Sequence, residues 1–162
     1  MAGITKEYEI AYAHRLLNHR GKCWRLHGHN AKISVTVEGP VIEDSLSPSN
    51  GMVMDFGLLD EGLGRWLNST LDHRTILEET DPLIKAIKPL IGPDSLVILD
   101  KPPTAERLAI WIHSKVFQFY GSEISKATVT FWETSKACAT IDECSDFLSI
   151  PQVMAEARNV AA

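Results

Sequence analysis

The segment Cys23-Trp24-Arg25-Leu26-His27-Gly28-His29 sets a thiol four residues ahead of two imidazoles that are themselves two apart. In extended backbone residues i and i+2 share a side, so His27 and His29 can aim both rings at one point. A zinc-type ion wants at least three protein nitrogens or sulfurs and, where it is catalytic, one position left open for water or substrate. His14, at the end of an earlier alternating run, supplies the third nitrogen. A lone histidine at a strand end is usually a polar surface residue; a trio with one strand-spaced pair favours a metal seat for Zn2+. His19, in the loop Asn18-His19-Arg20-Gly21, is a poorer ligand.

Cys23 admits two readings, a fourth ligand that closes a structural site or a free catalytic thiol. Lys22, Arg25 and a nearby dication favour the second, as a base working near neutral pH. Cys138 and Cys144 have no histidine close in sequence and read as small apolar residues, buried or half-buried. An odd number of cysteines in a chain this long is no disulfide scaffold. Asp72-His73 is either a helix-end carboxylate beside a surface imidazole or a proton-transfer pair. Glu133, after Phe131 and Trp132, either faces solvent or is a planar acceptor for the amidine-like edge of a flat heterocycle.

Elements must position these groups. Residues 6–14 alternate, with Tyr8, Ile10, Tyr12 and His14 on one side, and predict a strand that delivers His14. Residues 30–38 predict a second strand beginning just after the histidine pair and ended by Gly39-Pro40. Leu59, Leu63, Trp66 and Leu67 form a helical stripe between Asp55 and Leu71, weakened by Gly62 and Gly64. Thr104 reads as the N-cap of a second helix whose buried stripe is Leu108, Trp111, Ile112, Val116 and Phe119, closed by Gly121. Residues 127–133 and 137–141 alternate as a closing hairpin. The connection from Arg74 to Lys101 holds a short helix opened by Asp81-Pro82 and stopped near Pro89, then a short strand at Leu96–Leu99. Residues 145–162 are a frayed tail or one short helix after Pro151. The order gives an α+β domain, an antiparallel sheet with helices on one face.

At 162 residues and 44% hydrophobic, the chain can bury one core, so residues 1–162 are expected to form one domain. A net charge of −5 argues against general nucleic-acid or anionic-membrane binding. No run reaches the roughly 18 apolar residues of a membrane span, and the first residues lack a secretory core. A soluble, cytoplasmic protein is expected.

His14 in Ala-His-Arg-Leu, Cys23 with Leu26-His27-Gly28-His29-Asn30, Gly51-Met52-Val53-Met54-Asp55-Phe56, Leu71-Asp72-His73, Pro103-Thr104-Ala105-Glu106-Arg107-Leu108 and Trp132-Glu133-Thr134 stand in the order seen in the 6-pyruvoyl-tetrahydropterin synthase superfamily, which the chain resembles over about residues 6–141. The resemblance implies the tunnelling fold, a four-stranded antiparallel sheet with two helices on one face that oligomerises into a β-barrel. It implies a homohexamer, a dimer of trimers, with sites at subunit interfaces. The short spacing from Cys23 to His27 is similar to that of the queuosine-pathway, carboxy-forming subgroup. That subgroup converts 7,8-dihydroneopterin triphosphate to 6-carboxy-5,6,7,8-tetrahydropterin, acetaldehyde and triphosphate. By the same resemblance His14, His27 and His29 hold zinc, Cys23, Asp72 and His73 are catalytic, and Glu133, Thr104 and Glu106 bind the pterin. The alternatives are a pyruvoyl-forming or sepiapterin-cleaving relative and a non-catalytic zinc or pterin binder. Asp60 departs from the lysine of many relatives, and the Arg74–Lys101 connection is longer than in the shortest ones. Arg15, Lys22 and Arg25 are candidate triphosphate contacts by charge and proximity.

Overall fold

The computed structural model describes residues 1–144; the helix after Pro151 and the burial expected of Cys144 fall outside what it describes. In chain order the elements are β1 (Ala2–His14), β2 (His27–Gly39), α1 (Phe56–Leu59), a π-helical turn (Asp60–Gly64), α2 (Arg65–Thr70), β3 (Arg74–Glu78), α3 (Leu83–Ile91), β4 (Leu96–Leu99), α4 (Ala105–Tyr120), β5 (Lys126–Thr134) and β6 (Ala137–Cys144). β1 and β2 pair antiparallel along their whole length, from Ala2 opposite Gly39 to His14 opposite His27. The histidine pair therefore lies inside β2 rather than ahead of it, because β1 keeps offering backbone partners as far as His14.

Among the described residues the sheet has six strands in the order β4-β3-β1-β2-β5-β6. The expected four-stranded antiparallel sheet is corrected on this point: β1, β2, β5 and β6 are antiparallel, but β3 adds parallel to β1 at Tyr12–His14 and β4 adds parallel to β3. β3 escaped the sequence reading because Ile76 and Leu77, successive residues on opposite faces, are both buried. A strand covered on both sides shows no alternation.

The helices cover one face. Leu59, Leu63 and Leu67 join Leu108, Trp111, Ile112 and Val116 of α4 over Ile10, Ile33, Val35, Val129 and Phe131 in one cluster. The α4 stripe continues through Phe117 and Tyr120, whereas Phe119, expected inside, is exposed. Phe119 shares the angular position of Leu108 and Ile112 but lies in the last turn of α4, one residue before its end. Cys138, expected buried or half-buried, is exposed because it sits opposite Trp132 in the register that faces away from the core.

The glycines of the first helix have a packing reason. The Tyr120 hydroxyl enters the π turn, accepts from the Leu63 N–H at 2.8 Å and donates toward the Leu58 and Leu59 carbonyls at 3.1 and 3.3 Å. A Cβ on Gly62 would sit 3.0 Å from Tyr120 Cζ, so only glycine admits the phenol. Asp81 opens α3 as expected, its carboxylate accepting from the Leu83 N–H at 2.8 Å. Pro89 lies inside α3 rather than ending it. In the last turn it removes a single backbone donor. No helix of the described residues is long and apolar enough to cross a membrane.

Candidate active site

Two adjacent cross-strand rows, Tyr12 with His29 and His14 with His27, put three imidazoles on the core face of β1 and β2. Ring centroids are 4.7 Å apart for His14 and His27, 5.2 Å for His14 and His29, and 4.8 Å for His27 and His29. One nitrogen from each lies within 4.8 Å of the others, an arrangement that could hold a metal ion. His14 Nδ1 donates to the Pro103 carbonyl at 2.8 Å, and His27 Nδ1 to the Arg25 carbonyl at 2.7 Å. A carbonyl only accepts, so each Nδ1 carries the proton and each Nε2 offers a lone pair. This is how metal-ligating histidines are held from behind.

The Nε2 atoms of His14 and His29 are buried and have no hydrogen-bond partner. An orphaned buried acceptor is costly, and two that converge fit a cation. Burial, the largest cause, pushes the basicity of both His14 and His29 below the ordinary histidine value. Neutral imidazoles are the form that ligates. Three converging nitrogens suit a borderline ion such as zinc with a position left open.

Glu133 reaches the same place from β5. The inward residues Ala127, Val129 and Phe131 continue by parity to Glu133, and the register with β6 shifts between Trp132 and Thr134, leaving Glu133 without an opposite partner. Such a bulge re-aims a side chain. Glu133 Oε1 lies 3.4 Å from His14 Nε2 and 3.8 Å from His29 Nε2, and accepts from the Tyr12 hydroxyl at 3.3 Å. Burial first, then the Glu133 charge, pushes the Tyr12 phenol above its ordinary range, with Cys23 adding in the same direction. Tyr12 therefore stays a donor. A carboxylate facing the lone pairs of neutral imidazoles sets acceptor against acceptor, which a cation between them would reconcile.

Cys23 sits half-buried in the turn Lys22–Trp24, outside the cluster of ligand nitrogens but near enough to bear on Tyr12. His19 is also outside that cluster. Thr104 caps α4, accepting from the Arg107 N–H at 3.3 Å. Its neighbour Glu106 is exposed, and its own backbone N–H, then the Thr104 hydroxyl, hold its carboxyl below the usual range. Both residues serve the helix start, just after the Pro103 carbonyl that fixes His14. Arg15 grips the buried Asp81 carboxylate with two nitrogens, so it is engaged structurally rather than left free for phosphate. Lys22 and Arg25 are exposed, Arg25 lying over the Trp24 ring at 5.6 Å. Asp60 pairs with Lys6 at 2.7 Å.

Asp72 and His73 lie elsewhere. Asp72 Oδ1 accepts from the Ala11 N–H at 2.8 Å, its Oδ2 is 2.9 Å from His73 Nδ1, and the His73 N–H donates to the Ala11 carbonyl at 2.6 Å. Against the opposing effect of burial, the Ala11 N–H and His73 keep the Asp72 carboxyl below its ordinary value. The His73 backbone is left-handed at φ 57°, and its side chain is 81% exposed. It opens on a cleft of about 440 Å³ whose lining includes Tyr12, His29 and Thr75 as well as Ala11, Ala13, Gly28, Asn30 and Arg74. Ala11, Ala13, Gly28 and Asn30 alternate with Tyr12, His14, His27 and His29, so their side chains lie on the face turned away from the helices. One copy of the chain thus brings Glu133 to the histidine trio but leaves the Asp72–His73 pair on the other face. The sequence reading passed over Tyr12, although its parity with His14 placed it on the inward side.

The family model for 6-pyruvoyl tetrahydropterin synthase matches residues 3–144. A probable 6-carboxy-5,6,7,8-tetrahydropterin synthase from Halobacterium salinarum is 35% identical over 132 residues, which is 82% of this chain and 81% of the relative. The Rickettsia typhi 6-carboxy-5,6,7,8-tetrahydropterin synthase is 30% identical over 118 residues, 72% of this chain and 81% of the relative. In fold, the crystal structure of 6-pyruvoyl tetrahydropterin synthase from Plasmodium vivax superposes with a TM-score of 0.68 at 20% identity, covering 88% of this chain and 98% of that one.

Proposed function

Since the chain belongs to the 6-pyruvoyl tetrahydropterin synthase family, we propose that it is a zinc-dependent lyase converting 7,8-dihydroneopterin triphosphate and water to 6-carboxy-5,6,7,8-tetrahydropterin, acetaldehyde and triphosphate. The relatives that carry the carboxy-forming name support the choice within the family. The observation that carries the reading is the pair of buried, unpartnered Nε2 atoms of His14 and His29, with the Glu133 carboxylate beside them.

His14, His27 and His29 would hold zinc, which would supply Lewis acidity and lower the cost of negative charge on oxygen. The chain's own groups do the rest. Glu133 accepts from the ring N–H and exocyclic amine of the pterin, with Thr104 and Glu106 at the adjoining helix start. Cys23, on the rim near Tyr12, takes the proton from the side-chain carbon. His73, its Nδ1 oriented by Asp72, delivers or accepts the second proton. Groups of different basicity let one site both remove and return protons.

Because His73 opens on the opposite face of the sheet, a second copy is needed to bring an Asp72–His73 pair to each metal seat. A homo-oligomer follows from that incompleteness. Two edges are available for it: β3 pairs with β1 only at Tyr12–His14, so the rest of that β1 edge takes no strand among the described residues, and β6 ends the sheet on the other side. Joining such edges between copies closes a barrel, with two trimers making a hexamer.

Incubating zinc-loaded protein with dihydroneopterin triphosphate and weighing the products tests the reading. The 6-carboxy pterin with acetaldehyde is expected, and Cys23→Ala should abolish both while keeping the metal. A pyruvoyl pterin without acetaldehyde would assign the chain to the pyruvoyl-forming branch instead.

A further inference from the structure

The first helical segment carries one residue too many for a plain α-helix, and what it delivers at its far end is the Asp72–His73 pair. Leu59, Leu63, Leu67 and Leu71 recur at every fourth position, and all four are 0–1% exposed. On an α-helix a four-residue step overshoots a full turn by about 40°, so three steps would carry Leu71 about 120° round from Leu59. The π turn at Asp60–Gly64 takes up one more residue per turn and gives back about 100° of that drift. The phase of everything after it, Leu67, Leu71 and then Asp72, is set there.

The turn is propped by one hydroxyl. The Leu63 N–H and the Leu59 carbonyl are the i and i−4 partners of an uninterrupted α-helix. Tyr120 Oη accepts from the first at 2.8 Å and donates toward the second at 3.3 Å, with the Leu58 carbonyl alongside at 3.1 Å. A side chain inserted into the ladder is one of the few causes of a break in a helix. Burial, the largest cause, holds the Tyr120 phenol above its ordinary range, so it keeps the proton that it donates. Tyr120 is 6% exposed and stands in the last turn of α4, whose first turn follows the Pro103 carbonyl bonded by His14. One rigid helix is therefore the reference both for the metal seat and for the segment that carries Asp72 and His73.

We propose that Tyr120 is a positioning residue for the Asp72–His73 pair, its hydroxyl holding open the π turn that rotates the pair onto the backbone of Ala11. The inference rests on the proton-transfer reading of His73 and deepens it. The pair is received at a single residue: the Ala11 N–H donates to Asp72 Oδ1 at 2.8 Å, and the Ala11 carbonyl accepts from the His73 N–H at 2.6 Å. Without the hydroxyl the Leu63 N–H and the Leu59 carbonyl can close directly, the turn reverts to α, and the segment beyond it swings by about 100°. Both bonds to Ala11 are then lost. A misplacement of this kind costs turnover although no reacting group has been touched.

The test reads the metal-loaded protein in three ways: metal content, steady-state kinetics, and amide hydrogen exchange in the peptides that contain Ala11 and His73. Tyr120→Phe keeps the ring and removes only the hydroxyl. It is expected to keep its metal, to lower kcat about a hundredfold with KM changed less, and to lose protection at Ala11 and His73. Gly62→Ala, which crowds the phenol from the other side, should do the same. Deleting Gly62 in the Tyr120→Phe background removes the surplus residue and restores the phase with a plain helix, so about tenfold or more of the lost kcat should return together with the protection. A role in stability alone gives no such rescue. Ile112→Val, a core truncation in the same α4, should lower the thermal midpoint and leave kcat within about twofold of the parent. Tyr120→Phe with parental exchange at Ala11 and His73, or a drop in kcat that Ile112→Val matches, would overturn the proposal whatever the deletion does. Protection lost with kcat unchanged would leave the phasing in place and sink the proton-transfer reading of His73 instead.

Discussion

The histidine trio and the Asp72–His73 pair both hang on the end of β1, and they are held in contrary ways. His14 is buried with its Nδ1 locked on a backbone carbonyl, in a strand paired on both sides. His73 is open to solvent at the strand edge, on a left-handed residue tied down by its main-chain bond to Ala11. A metal seat has to be prebuilt, since ligand geometry tolerates only tenths of an ångström. The proton transfer proposed for His73 can wait for its partners, because catalytic hydrogen bonds commonly tighten only when substrate arrives. The contrast implies two modules that can be broken separately.

The largest effect should come from His14→Ala. It is expected to strip the metal and drop turnover to background, read by metal content after gel filtration and by product formation. His73→Ala should keep the full metal complement and lose about 10²- to 10⁴-fold in kcat, the usual share of a general acid–base group. If His73→Ala also shed metal, the two regions would be one unit and the comparison would be wrong.

What supports the seat can be probed next. Asp81 lies buried beneath the end of β1, clasped by Arg15, the residue after His14, and burial is outweighed by that guanidinium in keeping its carboxyl below the ordinary range. Removing one partner of a buried pair leaves the other charge uncompensated, at a cost of about 3 kcal/mol. Asp81→Ala should lose that much in denaturant unfolding and weaken metal binding in parallel, while the Arg15→Leu/Asp81→Leu double variant recovers part of the loss. Metal affinity untouched by Asp81→Ala would mean that the seat does not depend on this clasp.

These regions were unequally legible in the sequence. The seat was readable because it needs only two local facts, the i, i+2 spacing of His27 and His29 and the parity of His14 with Ile10 and Tyr12. For Glu133 the sequence leaves two readings open, solvent-facing or acceptor; the parity from Ala127 favours the inward face, but the bulge that frees the carboxylate arises from pairing with β6 and leaves no local mark. The place of Asp72 and His73 depends on β3, whose two-sided burial erased the alternation that would have revealed it. Arg15 looked like a phosphate ligand because a charge run shows no partner until the fold brings Asp81 beneath it.

The two regions should also titrate in different windows. Burial lowers the folded-state basicity of His14 and His29 from the ordinary value of 6.5. The unfolded chain then takes up protons first, so their contribution is fully present above about pH 6.5 and is lost as pH falls below it. Metal binding needs the same neutral rings, so affinity should drop up to about tenfold per pH unit for each ring that must shed a proton. Asp72 is depressed from 3.8, and its contribution persists until pH falls through that lower range. Chelator competition between pH 7 and 5 should show metal loss while circular dichroism still reports an intact fold. Simultaneous loss of metal and fold would place both regions in one cooperative unit.

The smallest effect isolates the backbone of His73 from its chemistry. A left-handed residue costs about 1–2 kcal/mol for most side chains, while histidine is among those that tolerate it. Glycine removes that strain but adds about 0.5–1 kcal/mol of unfolded-state entropy, so His73→Gly should stay within about 1 kcal/mol of the parent. Valine, branched at Cβ and strained at φ 57°, should destabilise by about 1–2 kcal/mol. Both variants lack the imidazole and should lose the same 10²- to 10⁴-fold in kcat. The outcome that counts is this dissociation: two substitutions equal in activity and unequal in thermal midpoint would show that the left-handed turn serves to place the ring, and that the ring itself contributes nothing to holding the edge together. Equal midpoints would mean instead that the bonds to Ala11 give way before the strain is felt.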